Sequence, residues 1–192
     1  METIINHPNV EKLDEYIYLI KNFINKEEID KLVEFGNFGD WNAFNYTSGY
    51  DTENFWTGKV LPFEKTDCLG LAIKINNQQS SLFYEQYKIV GNSALQKQNV
   101  GQGMHVHADN SGLENPQFNN DKTIWGLVLY INDFNGGEIY YPNIGLEYKP
   151  NPGDLVIHPA SIKYSHGTRP VLEGPKRYIM TSFAKILYFD EN

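Results

Sequence analysis

Cysteine is almost absent from this chain. Cys68 stands alone in 192 residues, so no intramolecular disulfide can form, and no Cys/His cluster has zinc-finger spacing. A fold held by neither staple must rest on buried apolar surface, and a reducing, cytosolic setting is expected. Positive charge is also scarce: 16 Lys and Arg against 24 Asp and Glu leave a net charge of -8. That is the wrong sign for gripping a phosphate backbone, so no nucleic-acid partner is expected. No run approaches the roughly 18 consecutive apolar residues of a membrane span. Met1-Glu2 is not followed by the apolar stretch of a signal peptide. There is no internal repeat and no low-complexity segment. These absences point to a soluble, cytoplasmic protein without membrane contact.

Aromatic residues, by contrast, are plentiful. At 41% hydrophobic and 14% aromatic, with 13 Tyr and 11 Phe, the chain is globular rather than disordered. Its length suits a single domain over residues 1–192. Tyr16 to Ile20, with Phe23-Ile24, is β-branched and aromatic enough for an early strand. Asn25 then predicts a helix start, with Glu28 as the returning partner of a capping box, Ile29, Leu32 and Val33 on one face, and Gly36 and Gly39 as its end. Asp40 to Thr66 reads as a long ordered loop holding one short strand. Asp67 to Tyr87 reads as mostly helix, broken near Asn76-Asn77.

After Gly91 the texture changes to short strands with turn signals. Strands are expected over 94–100, 103–108, 123–132, 137–142, 145–149, 154–158, 163–168 and 176–187, punctuated by Asn135-Gly136-Gly137 and Asn151-Pro152-Gly153-Asp154. The fold class read from this is mainly β with supporting α-helices. Helical support over about 1–90 would pack on one outer face of a jelly-roll core over about 91–188.

The chemistry centres on Gly101 to Asp109. On a strand, residues at i and i+2 share a face, so His107 and Asp109 can converge on one point. A second imidazole would complete the 2-His-1-carboxylate triad, which leaves one face of Fe(II) open. The pair alone is a weak signal. Candidates for the second histidine are His7 in a tail, His105 on the same strand face as His107, His158 at the end of the run Leu155-Val156-Ile157, and His166. His166 is adopted because of the strand that follows it. That strand opens with Lys176-Arg177, and its face Arg177, Ile179, Thr181, Phe183 brings a guanidinium toward the core, where it needs an anion.

Taken together, several blocks resemble the Fe(II)/2-oxoglutarate-dependent oxygenases of the prolyl 4-hydroxylase type. They are His107-x-Asp109, the run Trp125 to Asn132, Gly136-Gly137-Glu138, Pro152-Gly153-Asp154, His166-x-x-x-Pro170-Val171 and Arg177-Tyr178. The match covers about residues 95 to 187, and Asn22 to Phe35 resembles the segment that opens such domains. The resemblance implies a double-stranded β-helix with iron held by His107, Asp109 and His166, and 2-oxoglutarate held at its distal carboxylate by Arg177 and Tyr130. Ile139 and Phe183 would line the pocket. Lys176 also fits a spacing used in the family, so both cations stand as anchors, and His105 has no assigned role. The implied activity is a dioxygenase that uses O2 and 2-oxoglutarate to hydroxylate a C–H bond, with ascorbate as accessory reductant and a peptidyl proline as the substrate class. A free amino acid or small metabolite is the competing substrate.

Two related patterns fit less well. A cupin-type binding module would use His105-x-His107, but the Glu it needs is missing, since positions 111 and 112 are Ser111 and Gly112. Nucleic-acid demethylases of the same chemistry carry a second Arg six residues after the first, where this chain has Phe183. Halogenases that resemble this pattern lack the carboxylate, so Asp109 favours hydroxylation. Oligomeric state is not legible. Trp41 to Trp56 and Asn110 to Asp121 are candidate lids over the substrate groove.

Overall fold

A computed structural model of the protein describes residues 5–39, 42–43, 59–62, 68–83, 87–91, 94–109 and 124–186. The larger of two antiparallel sheets runs in the order β1 (Val10–Lys12), β2 (Tyr18–Ile20), β11 (Leu155–Pro159), β8 (Ile124–Tyr130), β13 (Arg177–Ile186), β6 (Ala94–Gln98), β4 (Lys59–Pro62), β3 (Asn42–Ala43), with β5 (Tyr87–Gly91) also paired to β13. The smaller sheet runs β10 (Leu146–Tyr148), β9 (Ile139–Tyr141), β12 (His166–Thr168), β7 (Met104–His107). Two facing sheets with helices on one outer side make a jelly roll.

Strand alternation separates two cores. Trp125, Leu127 and Leu129 of β8, Leu155 and Ile157 of β11, and Tyr178 and Met180 of β13 pack on Leu32 of helix α1 (Lys26–Phe38) and on Ala72 and Ile75 of helix α2 (Leu69–Ser80). The intervening residues Val128, Tyr130, Val156 and Ile179 point the other way and meet Ile139 and Tyr141 of the smaller sheet. Helices thus cover one face, and the space between the sheets is left for the site. On β13 the inward residues Thr181 and Phe183 are half-buried while their outward neighbours Ser182 and Ala184 are buried. Among the described residues the inward face is therefore the less covered one at that end.

All eight strands expected after Gly91 are present, most of them shorter than expected, while the one expected over 154–158 runs from Leu155 on to Pro159. Expected residues 163–165 instead belong to a 3-10 turn over Ile162–Tyr164 and its exit. Residues before Gly91 supply strands β1 to β5 as well as the helices. The early strand is Tyr18–Ile20 alone: Asn22 has φ 52°, turning the chain, and Phe23 N–H donates to Gly153 O.

The capping box at Asn25 is formed in both directions: Glu28 N–H donates to Asn25 Oδ1 and Asn25 N–H to the Glu28 carboxylate. Gly36 does not end α1, which runs on to Phe38 with Gly39 as its cap. Gly36 instead faces the Tyr178 ring, where a Cβ would stand 2.9 Å from Cζ. Helix α2 is unbroken at Asn76-Asn77, and Tyr87, the last residue of the expected segment, opens strand β5. The helix's buried face is Ala72, Ile75 and Gln79; Asn77 is exposed and Asn76 half-buried at the edge of that face, so the pair costs only a modest amount of propensity. Its stop comes later, where the Ser80 and Ser81 hydroxyls donate back to Asn76 O and Gln78 O. Of Trp41 to Trp56 only β3 is described, and Asn110 to Asp121 lies outside the described residues.

Candidate functional site

His107 ends β7, His166 opens β12, and the pairing of these strands sets the two residues directly opposite each other. Each ring is oriented by the carbonyl two residues back: His107 Nδ1 lies 2.9 Å from His105 O, and His166 Nδ1 lies 3.2 Å from Tyr164 O. A carbonyl only accepts, so both rings carry their proton on Nδ1 and present an Nε2 lone pair. Asp109 lies just beyond β7, in a turn, so its convergence comes from the chain's exit and not from strict strand alternation. Its Oδ1 is 3.4 Å from His107 Nε2 and 3.9 Å from His166 Nε2. One donor atom from each of the three lies within 4.8 Å of the others, a nitrogen–nitrogen–oxygen set that fits a divalent first-row metal.

The charge states of Asp109 and His166 suit that use. Burial disfavours the Asp109 carboxylate, but the imidazoles of His107, His158 and His166 around it hold its pKa well below the usual carboxylate range. Burial, reinforced by His158 and His107, pushes His166 down to about 3, so it is neutral at pH 7. Burial also opposes protonation of His107, but bonding to Asp109 and to the His105 carbonyl outweighs it and leaves the pKa raised.

A second polar cluster lies further along the same inward faces. Arg177 is 1% exposed, and its Nη1 donates to Gly137 O at 3.0 Å. Its Nε and the Tyr130 hydroxyl are buried without hydrogen-bond partners, and no acid pairs with Arg177 among the described residues. The guanidinium carbon sits 5.7 Å from the ring centres of both Tyr130 and Phe134. Gln98, opposite Arg177 across the β6–β13 ladder, is buried with both amide atoms unpartnered. Burial lowers the Arg177 pKa and raises that of Tyr130 to about 12. Lys176 is exposed and contributes its carbonyl to Asn132 Nδ2. The register expected for Arg177, Ile179, Thr181 and Phe183 is therefore the one observed. Ile139 is buried in the core between the sheets.

Residues 93–185 match the model of the 2OG-Fe(II) oxygenase superfamily. The fold is also that of several solved structures. A viral collagen prolyl hydroxylase from Paramecium Bursaria Chlorella virus-1, in complex with 2-oxoglutarate, is 16% identical with a TM-score of 0.58, over 90% of this chain and 97% of that one. A Trichoplax adhaerens prolyl hydroxylase bound to a fragment of the hypoxia inducible factor oxygen degradation domain is 16% identical with a TM-score of 0.63, over 88% and 83%. HygX from Streptomyces hygroscopicus, with nickel and 2-oxoglutarate bound, is 11% identical with a TM-score of 0.64, over 91% and 84%. Identities this low establish the fold and no more. No match is found among curated proteins.

The remaining histidines of the chain divide clearly. His7 Nδ1 accepts from Asn9 N–H near the N-terminus. His105 is exposed, and its carbonyl is what it offers to His107. His158 is fully buried, with its ring centre 4.1 Å from that of His166, yet it stands outside the donor set. Sequence reasoning missed Phe134, Gln98 and Asn132. Asn132 grips the start of β13 by accepting from Tyr178 N–H and donating to Lys176 O, which fixes where Arg177 points. A polar residue ending the apolar run Trp125 to Ile131 was its only trace in the sequence. Among the described residues no helix is long and apolar enough to cross a membrane.

Proposed function

We infer that the protein is an Fe(II)- and 2-oxoglutarate-dependent dioxygenase, with His107, Asp109 and His166 as iron ligands and Arg177 and Tyr130 as the seat of the distal 2-oxoglutarate carboxylate. The observation that carries this reading is a buried guanidinium without an acid, on the same inward strand faces as a two-imidazole, one-carboxylate cluster. An unpaired buried cation is expensive, and a bound carboxylate relieves it. Gly126 beside Asp109 and Tyr130 beside Arg177 are four residues apart on β8. At about 3.3 Å per residue that is roughly 13 Å of strand, room for a short dicarboxylate between the two clusters.

Iron with 2-oxoglutarate and O2 supplies the oxidation, in which 2-oxoglutarate loses CO2 to become succinate and one oxygen enters a C–H bond. The chain's own groups bind and exclude water. Arg177 and Tyr130 hold the dicarboxylate, Phe134 walls the guanidinium, and Val128, Thr181 and Phe183 line the mouth.

For the substrate we infer a peptide or protein segment containing proline, hydroxylated as in the prolyl 4-hydroxylases the sequence resembles. The support is that resemblance and a fold shared with two prolyl hydroxylases. Anaerobic addition of Fe(II) and 2-oxoglutarate should give a metal-to-ligand charge-transfer band. Its absence, with metal and co-substrate binding nowhere in the protein, removes the oxygenase reading. Succinate release is then compared, with ascorbate present, between a Pro-rich peptide library, free proline and no added substrate, with mass spectrometry for a gain of one oxygen. Turnover of free proline alone assigns the small-metabolite alternative. No oxygenated proline in any arm removes the prolyl assignment and leaves the co-substrate chemistry standing.

A further inference from the structure

His158 is the one fully buried imidazole that the triad does not use. It sits on β11 directly opposite Gly126 of β8. Its Nε2 is 3.3 Å from Asp109 Oδ2 and has no hydrogen-bond partner of its own among the described residues. Its Nδ1 is 2.7 Å from the hydroxyl of Tyr141, itself fully buried on the facing sheet. The two oxygens of Asp109 are thereby separated: Oδ1 faces His107 and His166, while Oδ2 faces His158. Gly126 makes this approach possible, because a Cβ there would collide with His158 Nε2 and come within 2.6 Å of Asp109 Oδ2.

The tautomer follows from the surroundings. With the proton on Nδ1, a bare nitrogen lone pair would face a carboxylate oxygen in a site closed to water, and the Tyr141 proton would have no acceptor in the ring. With the proton on Nε2, the Tyr141 O–H donates to Nδ1 and Nε2–H points at Oδ2.

We propose that His158, set by Tyr141, is a positioning residue that holds Asp109 Oδ2 away from the metal, so that the carboxylate coordinates through Oδ1 alone. A carboxylate left free to rotate could close both oxygens onto the ion and occupy a position that co-substrate and oxygen require. Groups that orient a ligand in this way typically change metal affinity 10–100-fold. The inference rests on the His107, Asp109 and His166 reading, and the experiment separates the two.

The test is Co(II) binding to the metal-free full chain, with affinity and the visible Co(II) spectrum as readouts beside thermal unfolding of the metal-free protein. Relative to the parent, His158→Phe should bind Co(II) about 10–100-fold more weakly, with an altered band intensity that reports a changed coordination number. His158→Gln, whose amide N–H reaches the Nε2 position, should recover most of the affinity and the parent spectrum, which a purely structural loss would not allow. Tyr141→Phe removes only the hydroxyl and should show the same spectral change in milder form, and it serves alone if His158→Phe does not fold. The proposal is overturned if His158→Phe, or Tyr141→Phe in its place, keeps parent affinity and spectrum while His166→Ala loses the metal. It is equally overturned if His158→Phe abolishes binding and His166→Ala does not, since His158 would then be a ligand. Retention of Co(II) by both variants instead removes the triad reading itself.

Discussion

Two adjacent cations open β13, and their surroundings separate them. Arg177 is buried beside Tyr130 and Phe134, whereas Lys176 is exposed. Arg177→Ala should therefore weaken 2-oxoglutarate binding by about 2–5 kcal/mol, as expected when a desolvated charge pair loses one partner. Lys176→Ala should change it by no more than about 0.5 kcal/mol. Titrating the anaerobic Fe(II) protein with 2-oxoglutarate checks both, and the opposite ranking would mean that the functional cation is the exposed one. The sequence could not choose between these neighbours, because a one-residue slip of register exchanges the two faces of a strand. What sets the register is Asn132, forty-five positions before Arg177, bonded to the backbone on both sides of it.

The elements carry a second kind of evidence. The capping box of α1 was readable because both partners lie within one turn, so local chemistry determines it. Gly36 was not readable. Inside a helix a glycine normally weakens the element, and Gly36→Ala would be expected to stabilise by about 0.5–1 kcal/mol from propensity alone. Here the new methyl would meet the Tyr178 ring at 2.9 Å and Leu95 at 3.0 Å, and the ring is tethered through its hydroxyl to Asn37. Overpacking of this kind costs about 1–3 kcal/mol, so we expect net destabilisation, measured as a lowered urea midpoint with unchanged slope. A raised midpoint would show that α1 can lift from the sheet without loss. The same logic explains α2. Asn76-Asn77 suggests a break, but a helix already packed through Ala72 and Ile75 tolerates two poor formers in its last turns.

At the scale of the molecule, the site is assembled from both sheets. His107 and His166 come from the smaller sheet, Arg177 and Tyr130 from the larger, and Asp109 from the turn that follows β7. A metal and dicarboxylate bound together should therefore tie the two sheets to each other. With Co(II) saturating and 2-oxoglutarate at 100 times its dissociation constant, the co-substrate should add about 2.7 kcal/mol to unfolding stability. Arg177→Ala at the same concentrations should lose most of that increment while keeping the increment from metal alone. Thermal unfolding with and without each ligand measures it, and an unchanged increment in Arg177→Ala would remove the guanidinium from the co-substrate site.

By itself the sequence determined whatever depends on near neighbours along the chain. That includes the alternating strands after Gly91, the start of α1, the pairing of His107 with Asp109, and a net negative charge that disfavours nucleic acid. It also narrowed the second histidine to a short list. From that list it preferred His166 to His158 on the strand that follows it, and the tertiary structure adds where each imidazole stands. Both are buried and eight residues apart in sequence, His158 after the apolar run Leu155-Val156-Ile157 and His166 within Ser165-His166-Gly167-Thr168. Pairing sets His166 directly across from His107, while it sets His158 against the bare backbone of Gly126, behind the carboxylate. Which imidazole stands with His107 beside Asp109 Oδ1 and which faces Asp109 Oδ2 depends on strand partners chosen by packing between two sheets, and contacts between segments so distant along the chain leave no local mark in it.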